Sequence, residues 1–190
     1  MNFIECSSIR LDKNVCNRLI ELFEKNKNLQ VTGKVFSGSN VERSEIKKST
    51  EIPIGPYLFE DDNWGPSLNL FYQTLRLATQ EYVDKYPYLL DIAEWGPFEG
   101  FNFQKYNPGE GYYNIHCEVP GAGVSNRMLA WMIYLNDVDN GGTYFDQQDY
   151  TLEAECGKIA IWPPYWTHTH KGVISNTETK YILTGWFVYV

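Results

Sequence analysis

The sequence predicts a mainly β, α+β domain, a barrel or sandwich of short strands backed by N-terminal helices. Aromatic residues make up 16% of the 190-residue chain, with fourteen Tyr and six Trp, a composition suited to wide pleated surfaces. Helical periodicity is confined to the first half, whereas the chain after residue 98 breaks into short β-like runs separated by turn clusters. At this length one domain is the simplest organisation, with a helical and loop support region over 1–97 and a β core over 98–190.

Taken in order, Asp12 stands at the N-cap of an apolar pattern formed by Val15, Leu19, Ile20, Leu22 and Phe23, predicting a helix over 12–27. Residues 29–36 predict a short strand. Residues 37–65, rich in Ser, Asn, Gly, Pro and acidic side chains, predict a long irregular excursion, either a lid or substrate loop or a plain surface loop. Pro66 and Ser67 open a second helix, in which Leu68, Phe71, Tyr72, Leu75, Ala78, Thr79 and Tyr82 recur at three- and four-residue intervals up to Lys85. Pro87 and the Trp95-Gly96-Pro97 turn close the helical part. Strands are then predicted at 98–106, 112–118, 127–135, 143–145, 159–162 and 181–190, separated by turns at 107–111, 136–142 and 162–164.

The net charge of −8 argues against nucleic acid or an anionic membrane as a partner. Arg43, Lys47 and Lys48 read as a solvated loop. Four scattered cysteines without a C-x-x-C pair, and no charged leader followed by an apolar segment, lead us to expect reduced thiols and a cytoplasmic location. No apolar run approaches the roughly 20 residues needed to span a bilayer.

The chemistry gathers around the three histidines, His116, His168 and His170. On a strand, residues two apart share a face, so His116 and Glu118 are expected to point together while Cys117 turns into the core behind them. A distant His completes a two-His, one-carboxylate set that leaves coordination positions open, as non-haem Fe(II) needs for a chelating co-substrate and dioxygen. Zinc hydrolases use a similar set, so the triad alone leaves the metal open. His168 and His170 would share a strand face, and either could approach the ion. Lys180 lies in an apolar run, and a cation that is costly to bury alone predicts an anionic partner.

Three stretches occur in one order over nearly half the chain: Tyr106-Asn107-Pro108-Gly109 through His116-x-Glu118; Ile133-Tyr134-Leu135-Asn136-Asp137 followed by Gly141-Gly142-Thr143-Tyr144-Phe145; and His170 through Lys180 to Trp186. In that order, residues 98–190 resemble the catalytic core of Fe(II)- and 2-oxoglutarate-dependent dioxygenases of the prolyl 4-hydroxylase-like type. Residues 12–25 resemble the helix that begins many members.

The resemblance implies a double-stranded β-helix, or jelly roll. It implies His116, Glu118 and His170 as iron ligands, the ten-residue interval to Lys180 favouring His170 over His168. It further implies Lys180 as the salt-bridge partner of the co-substrate's distal carboxylate, Tyr134 as a hydrogen-bond donor to it, and Tyr106 beside the co-substrate. His168, Arg127 and Trp186 are expected behind the ligands or on the substrate side. The implied cofactors are Fe(II), 2-oxoglutarate and O2, with ascorbate as an auxiliary.

Peptidyl proline is the first expectation for substrate, with free amino acids, other side chains and small metabolites as alternatives. Recognition would come from the 37–65 and 120–126 loops, with Trp131, Tyr144 and Trp166 as further candidates, although such aromatics more often serve the core than contact. Glu118 stands where Asp is commoner, and the extra methylene admits altered or lost oxygenase activity. The alternatives are a cupin-like metal protein using His116, His168, His170 and Glu118, and a ligand-binding jelly roll without metal. Only the oxygenase reading requires the charge of Lys180.

Overall fold

A computed structural model describes residues 2–36 and 40–190. The chain opens with β1 (Glu5–Arg10) and α1 (Lys13–Lys25), followed by the short strands β2 (Val31–Thr32), β3 (Val35–Phe36) and β4 (Asn40–Val41). Next come β5 (Thr50–Ile54), the single turn α2 (Pro56–Phe59) and the long helix α3 (Gly65–Lys85). The remainder carries β6 (Trp95–Gly96), β7 (Phe101–Tyr106), β8 (Arg127–Tyr134), β9 (Val138–Phe145), β10 (Tyr150–Ala154), β11 (Lys158–Trp162), β12 (His170–Gly172) and β13 (Lys180–Tyr189).

An eight-stranded antiparallel sheet runs in the order β1-β11-β8-β13-β7-β5-β2, with β6 pairing to β13. A smaller sheet, β10-β9-β12, faces it, giving a mainly β jelly-roll core. Period-two alternation sorts the large sheet's side chains between two compartments. On one face Leu183 and Phe187 of β13, Phe101 and Phe103 of β7, and Trp131 and Ile133 of β8 pack against Leu19 and Phe23 of α1 and Leu68, Phe71 and Leu75 of α3. Each such fully buried side chain contributes about 1.5–3 kcal/mol. On the other face, Met132, Tyr134 and Ile182 meet Val138, Phe145 and Leu152 of the small sheet.

Helix ends follow local chemistry. The Asp12 side chain accepts from the Asn14 N–H at 2.8 Å to cap α1. Pro66 sits in the first turn of α3, where its missing N–H costs nothing. Tyr72, expected on the apolar stripe of α3, is instead 42% exposed. Gly142 lies where a Cβ would come within 2.1 Å of the Leu152 carbonyl oxygen, so the close approach of β10 to β9 requires glycine there.

Several expectations are corrected. The 37–65 excursion contains β4, β5 and α2, and β5 is a full member of the large sheet through Ile52↔Phe103 and Glu51↔Gln104; residues 37–39 lie outside the described residues. β1 also joins that sheet, so the first 97 residues supply strands as well as helices. The predicted strand at 112–118 is irregular, with isolated bridges Lys47↔Tyr112 and His116↔His170 only. β9 begins inside the predicted 136–142 turn, and β10 was not anticipated. Trp131, a candidate contact for which the sequence favours the core, is 1% exposed in the helix-side core. Among the described residues, no helix is long and apolar enough to cross a membrane.

Candidate active site

The inner face of the large sheet and the 112–120 segment enclose a cavity of about 540 Å3, within the range of ligand pockets, which run from about 300 to 1,000 Å3. His116, Glu118 and His170 meet in it, each offering a donor atom within 4.8 Å of the others, a group that could hold a metal ion. His116 and His170 face each other across an antiparallel bridge, exchanging both backbone N–H···O bonds at 2.9 Å. That bridge presents the two rings 4.5 Å apart without a strand at His116.

Each imidazole uses Nδ1 on the carbonyl two residues earlier, His116 on Asn114 O at 3.1 Å and His170 on His168 O at 2.9 Å. Nδ1 must then carry a proton, since a carbonyl only accepts, and Nε2 of both rings is directed at the Glu118 carboxylate. Glu118 Oε1 lies 3.2 Å from His170 Nε2 and 3.7 Å from His116 Nε2. Two imidazole nitrogens and a carboxylate oxygen thus converge on one point, a donor set that fits Fe(II). The second Glu118 oxygen accepts from Trp186 Nε1 at 2.9 Å.

Burial opposes the charge on Glu118, but His170, His116 and Trp186 outweigh it and hold the carboxyl down to about 2. Burial, then His170, lowers His116 to about 3, so its ring is neutral at physiological pH. Arg127 stacks on the Trp186 ring at 3.4 Å and donates to the Glu118 carbonyl at 2.9 Å, supporting that corner from behind.

A second polar cluster lines the same cavity. Lys180, at the start of β13, stands opposite Tyr106 of β7 in register, with its Nζ 5.4 Å from the Tyr106 ring centroid. The ammonium is 5% exposed and donates to Gly141 O at 2.6 Å and Val173 O at 3.2 Å. Among the described residues it has no carboxylate within 4.0 Å, and burial lowers it to about 8. Tyr134 Oη shares a hydrogen bond with Thr143 Oγ1 at 2.8 Å, and Tyr106 Oη donates to Gln104 Oε1 at 2.7 Å. Thr143 and Gln104 line the cavity and were not singled out from sequence; both alternate in phase with recognised residues, Gln104 with Tyr106 on β7.

The structure separates the two C-terminal histidines. His168 ends a 3-10 turn, with Nε2 on Asn2 O at 2.7 Å and Nδ1 on Thr167 Oγ1 at 2.9 Å, so it does not share a strand face with His170 or join the cluster. Cys117 lines the cavity and is partly exposed; with no strand at 112–118 it does not turn into the core. Lys47, expected in a solvated loop, is buried in an ion pair with Glu51 at 2.5 Å. Trp166 is 74% exposed, and Tyr144 hydrogen-bonds Asp149 at 3.1 Å.

Residues 101–188 match the sequence profile of the 2OG-Fe(II) oxygenase superfamily. No curated protein sequence matches the chain. The fold is similar to that of the viral collagen prolyl hydroxylase of Paramecium bursaria Chlorella virus-1, at a TM-score of 0.69 and 17% identity, covering 99% of this chain and 97% of the other. A Pseudomonas putida prolyl-4-hydroxylase gives 0.69 at 17% identity, covering 100% and 94%. A prolyl hydroxylase from Trichoplax adhaerens, solved with a hypoxia inducible factor oxygen degradation domain peptide fragment, gives 0.74 at 13% identity, covering 100% and 84%. An Fe(II)-compatible donor set thus lies in a jelly roll of prolyl 4-hydroxylase-like architecture, and residues 101–188, which carry that set, match the 2OG-Fe(II) oxygenase superfamily; together they support a 2-oxoglutarate-dependent dioxygenase, a family that implies Fe(II), 2-oxoglutarate and O2.

Proposed function

We propose that the protein hydroxylates an unactivated C–H bond, with a prolyl residue of a peptide or protein as its substrate. His116, Glu118 and His170 hold the metal, while Lys180 and Tyr134 bind the distal carboxylate of 2-oxoglutarate and Tyr106 lies beside it. The observation that carries the reading is the pairing of a convergent His-Glu-His triad with a buried Lys180 that meets no carboxylate among the described residues, both in one cavity. Peptidyl proline is favoured because the similar folds are named as prolyl hydroxylases. All 190 residues would act as one unit, since α1 and α3 pack on the sheet that bears the site. Ascorbate would serve as an auxiliary reductant.

Bound iron would supply activation of dioxygen and a chelation site for the keto acid. The residues contribute positioning. Lys180 and Tyr134 orient the co-substrate by charge and hydrogen bonding. The Asn114 and His168 carbonyls fix the His116 and His170 tautomers, and Trp186 restrains one Glu118 oxygen so that the other faces the histidines. Arg127 braces this corner.

The test is a panel of proline-containing peptides and free amino acids incubated with Fe(II), 2-oxoglutarate and O2. A mass gain of one oxygen atom on a prolyl residue, matched by succinate, is expected. Oxygen incorporation only on free amino acids or other side chains would overturn the proline assignment.

A further inference from the structure

We propose that the buried Lys47–Glu51 ion pair, acting through Tyr112, positions the His116 imidazole for metal binding; this rests on the metal site proposed above. The pair lies outside residues 101–188, yet its Lys47 lines the same cavity. Lys47 and Glu51 side chains are 6% and 7% exposed with Nζ–Oε1 at 2.5 Å. Glu51 also accepts from Ser49 Oγ at 2.8 Å and, opposite Gln104 in register, projects from the inner face of the large sheet. Desolvating two charges is expensive, and an apolar pair of like volume is often as stable, so the pair points to a specific role.

His116 needs such help because its segment has no strand to orient it. The segment is instead stitched to residues 43–48: Lys47 bridges Tyr112, Lys48 N–H donates to Gly111 O at 2.9 Å, and Tyr113 N–H donates to Ile46 O at 2.8 Å. Lys48 adds an ion pair to Glu110 at 3.2 Å. Tyr112 lies flat against the His116 ring, with centroids 3.5 Å apart and planes 10° from parallel, and Lys47 Nζ stands 5.9 Å from the Tyr112 centroid.

Metal coordination drains electron density from an imidazole, so an electron-rich phenol face stacks better on the liganded ring than on the free one. Glu51 anchors the ammonium, the ammonium holds the phenol by cation–π attraction, and the phenol fixes the ring plane while Asn114 fixes its rotation. Lys47, Glu51 and Tyr112 are positioning residues; none is required to touch the ion.

The experiment is Co(II) titration of the full chain with the visible ligand-field spectrum as readout, alongside thermal melting. Lys47→Met and Tyr112→Leu are expected to weaken Co(II) affinity about 10- to 100-fold, the usual effect of losing an outer support of a metal-binding His, and to alter the band pattern. Lys47→Arg is expected to restore both affinity and spectrum. Tyr112→Leu removes no charge and decides the matter should Lys47→Met fail to fold. Wild-type affinity and spectrum in folded Tyr112→Leu would overturn the proposal while leaving the metal site standing. Failure of the wild-type protein to bind Co(II) would fell both.

Discussion

Lys180→Met separates the cost of a buried charge from its use. The side chain is 5% exposed and its ammonium donates to the Gly141 and Val173 carbonyl oxygens. Burial moves it from 10.5 to about 8, corresponding to roughly 3 kcal/mol against the charged form. Because the folded value lies below the unfolded one, the unfolded chain binds more protons between them. The penalty is therefore complete below about pH 8 and disappears as pH rises through the unfolded value. Methionine keeps most of the volume and removes the penalty, at the expense of hydrogen bonds to the two carbonyls. Without co-substrate the variant should melt at or above the wild-type temperature.

Binding of 2-oxoglutarate moves in the opposite direction. Removing one partner of a buried, hydrogen-bonded charge pair costs about 2–5 kcal/mol, or about 30- to 5,000-fold in Kd. Calorimetric titration of 2-oxoglutarate into Mn(II)-loaded protein measures this without turnover. A Kd within threefold of wild type would refute the assignment of Lys180 as the anchor.

The same group sets a pH dependence: 2-oxoglutarate affinity should be flat below about pH 8 and fall about tenfold per unit above it, with proton uptake on binding detectable in buffers of different ionisation enthalpy. An affinity constant up to pH 9.5 would contradict this. His168→Gln should preserve metal affinity while costing about 1 kcal/mol of stability through the Asn2 and Thr167 contacts, whereas His170→Gln should abolish tight binding; calorimetry with Mn(II) compares them. Phe103→Ala, which empties a fully buried site packed by Phe23 and Trp64, should cost about 3–5 kcal/mol in denaturant unfolding.

The legible parts of the fold were those where burial imposes a period. β13 alternates Lys180, Ile182, Thr184 and Trp186 toward the cavity with Leu183 and Phe187 toward the helices, and α1 shows its stripe just as clearly. β1 reads Glu-Cys-Ser-Ser-Ile-Arg, an edge strand whose mostly polar side chains give no alternation to detect. β5 carries Pro53 and follows a polar stretch, so local composition argued for loop while pairing to β7 made it strand. His116 and Glu118 converge as expected, but by a different route: the His116↔His170 bridge replaces strand alternation, which is why Cys117 faces the cavity. Lys47 looked like surface because its partner Glu51 belonged to a strand that local pattern did not reveal. The difference between His168 and His170 depended on a 3-10 turn and a carbonyl 166 positions away, which no local signal encodes.

The proposed site, with His116, Glu118 and His170 holding Fe(II) beside a Lys180-anchored 2-oxoglutarate, stands or falls on whether the ternary chelate forms. It is tested most directly by anaerobic titration of the metal-free protein with Fe(II) and 2-oxoglutarate, following the visible charge-transfer band of the chelate, and then by admitting oxygen and measuring succinate. A band that saturates at one equivalent and succinate on oxygenation are expected, with neither in His170→Gln. Metal uptake with no band and no succinate in the wild-type protein would contradict the proposed site.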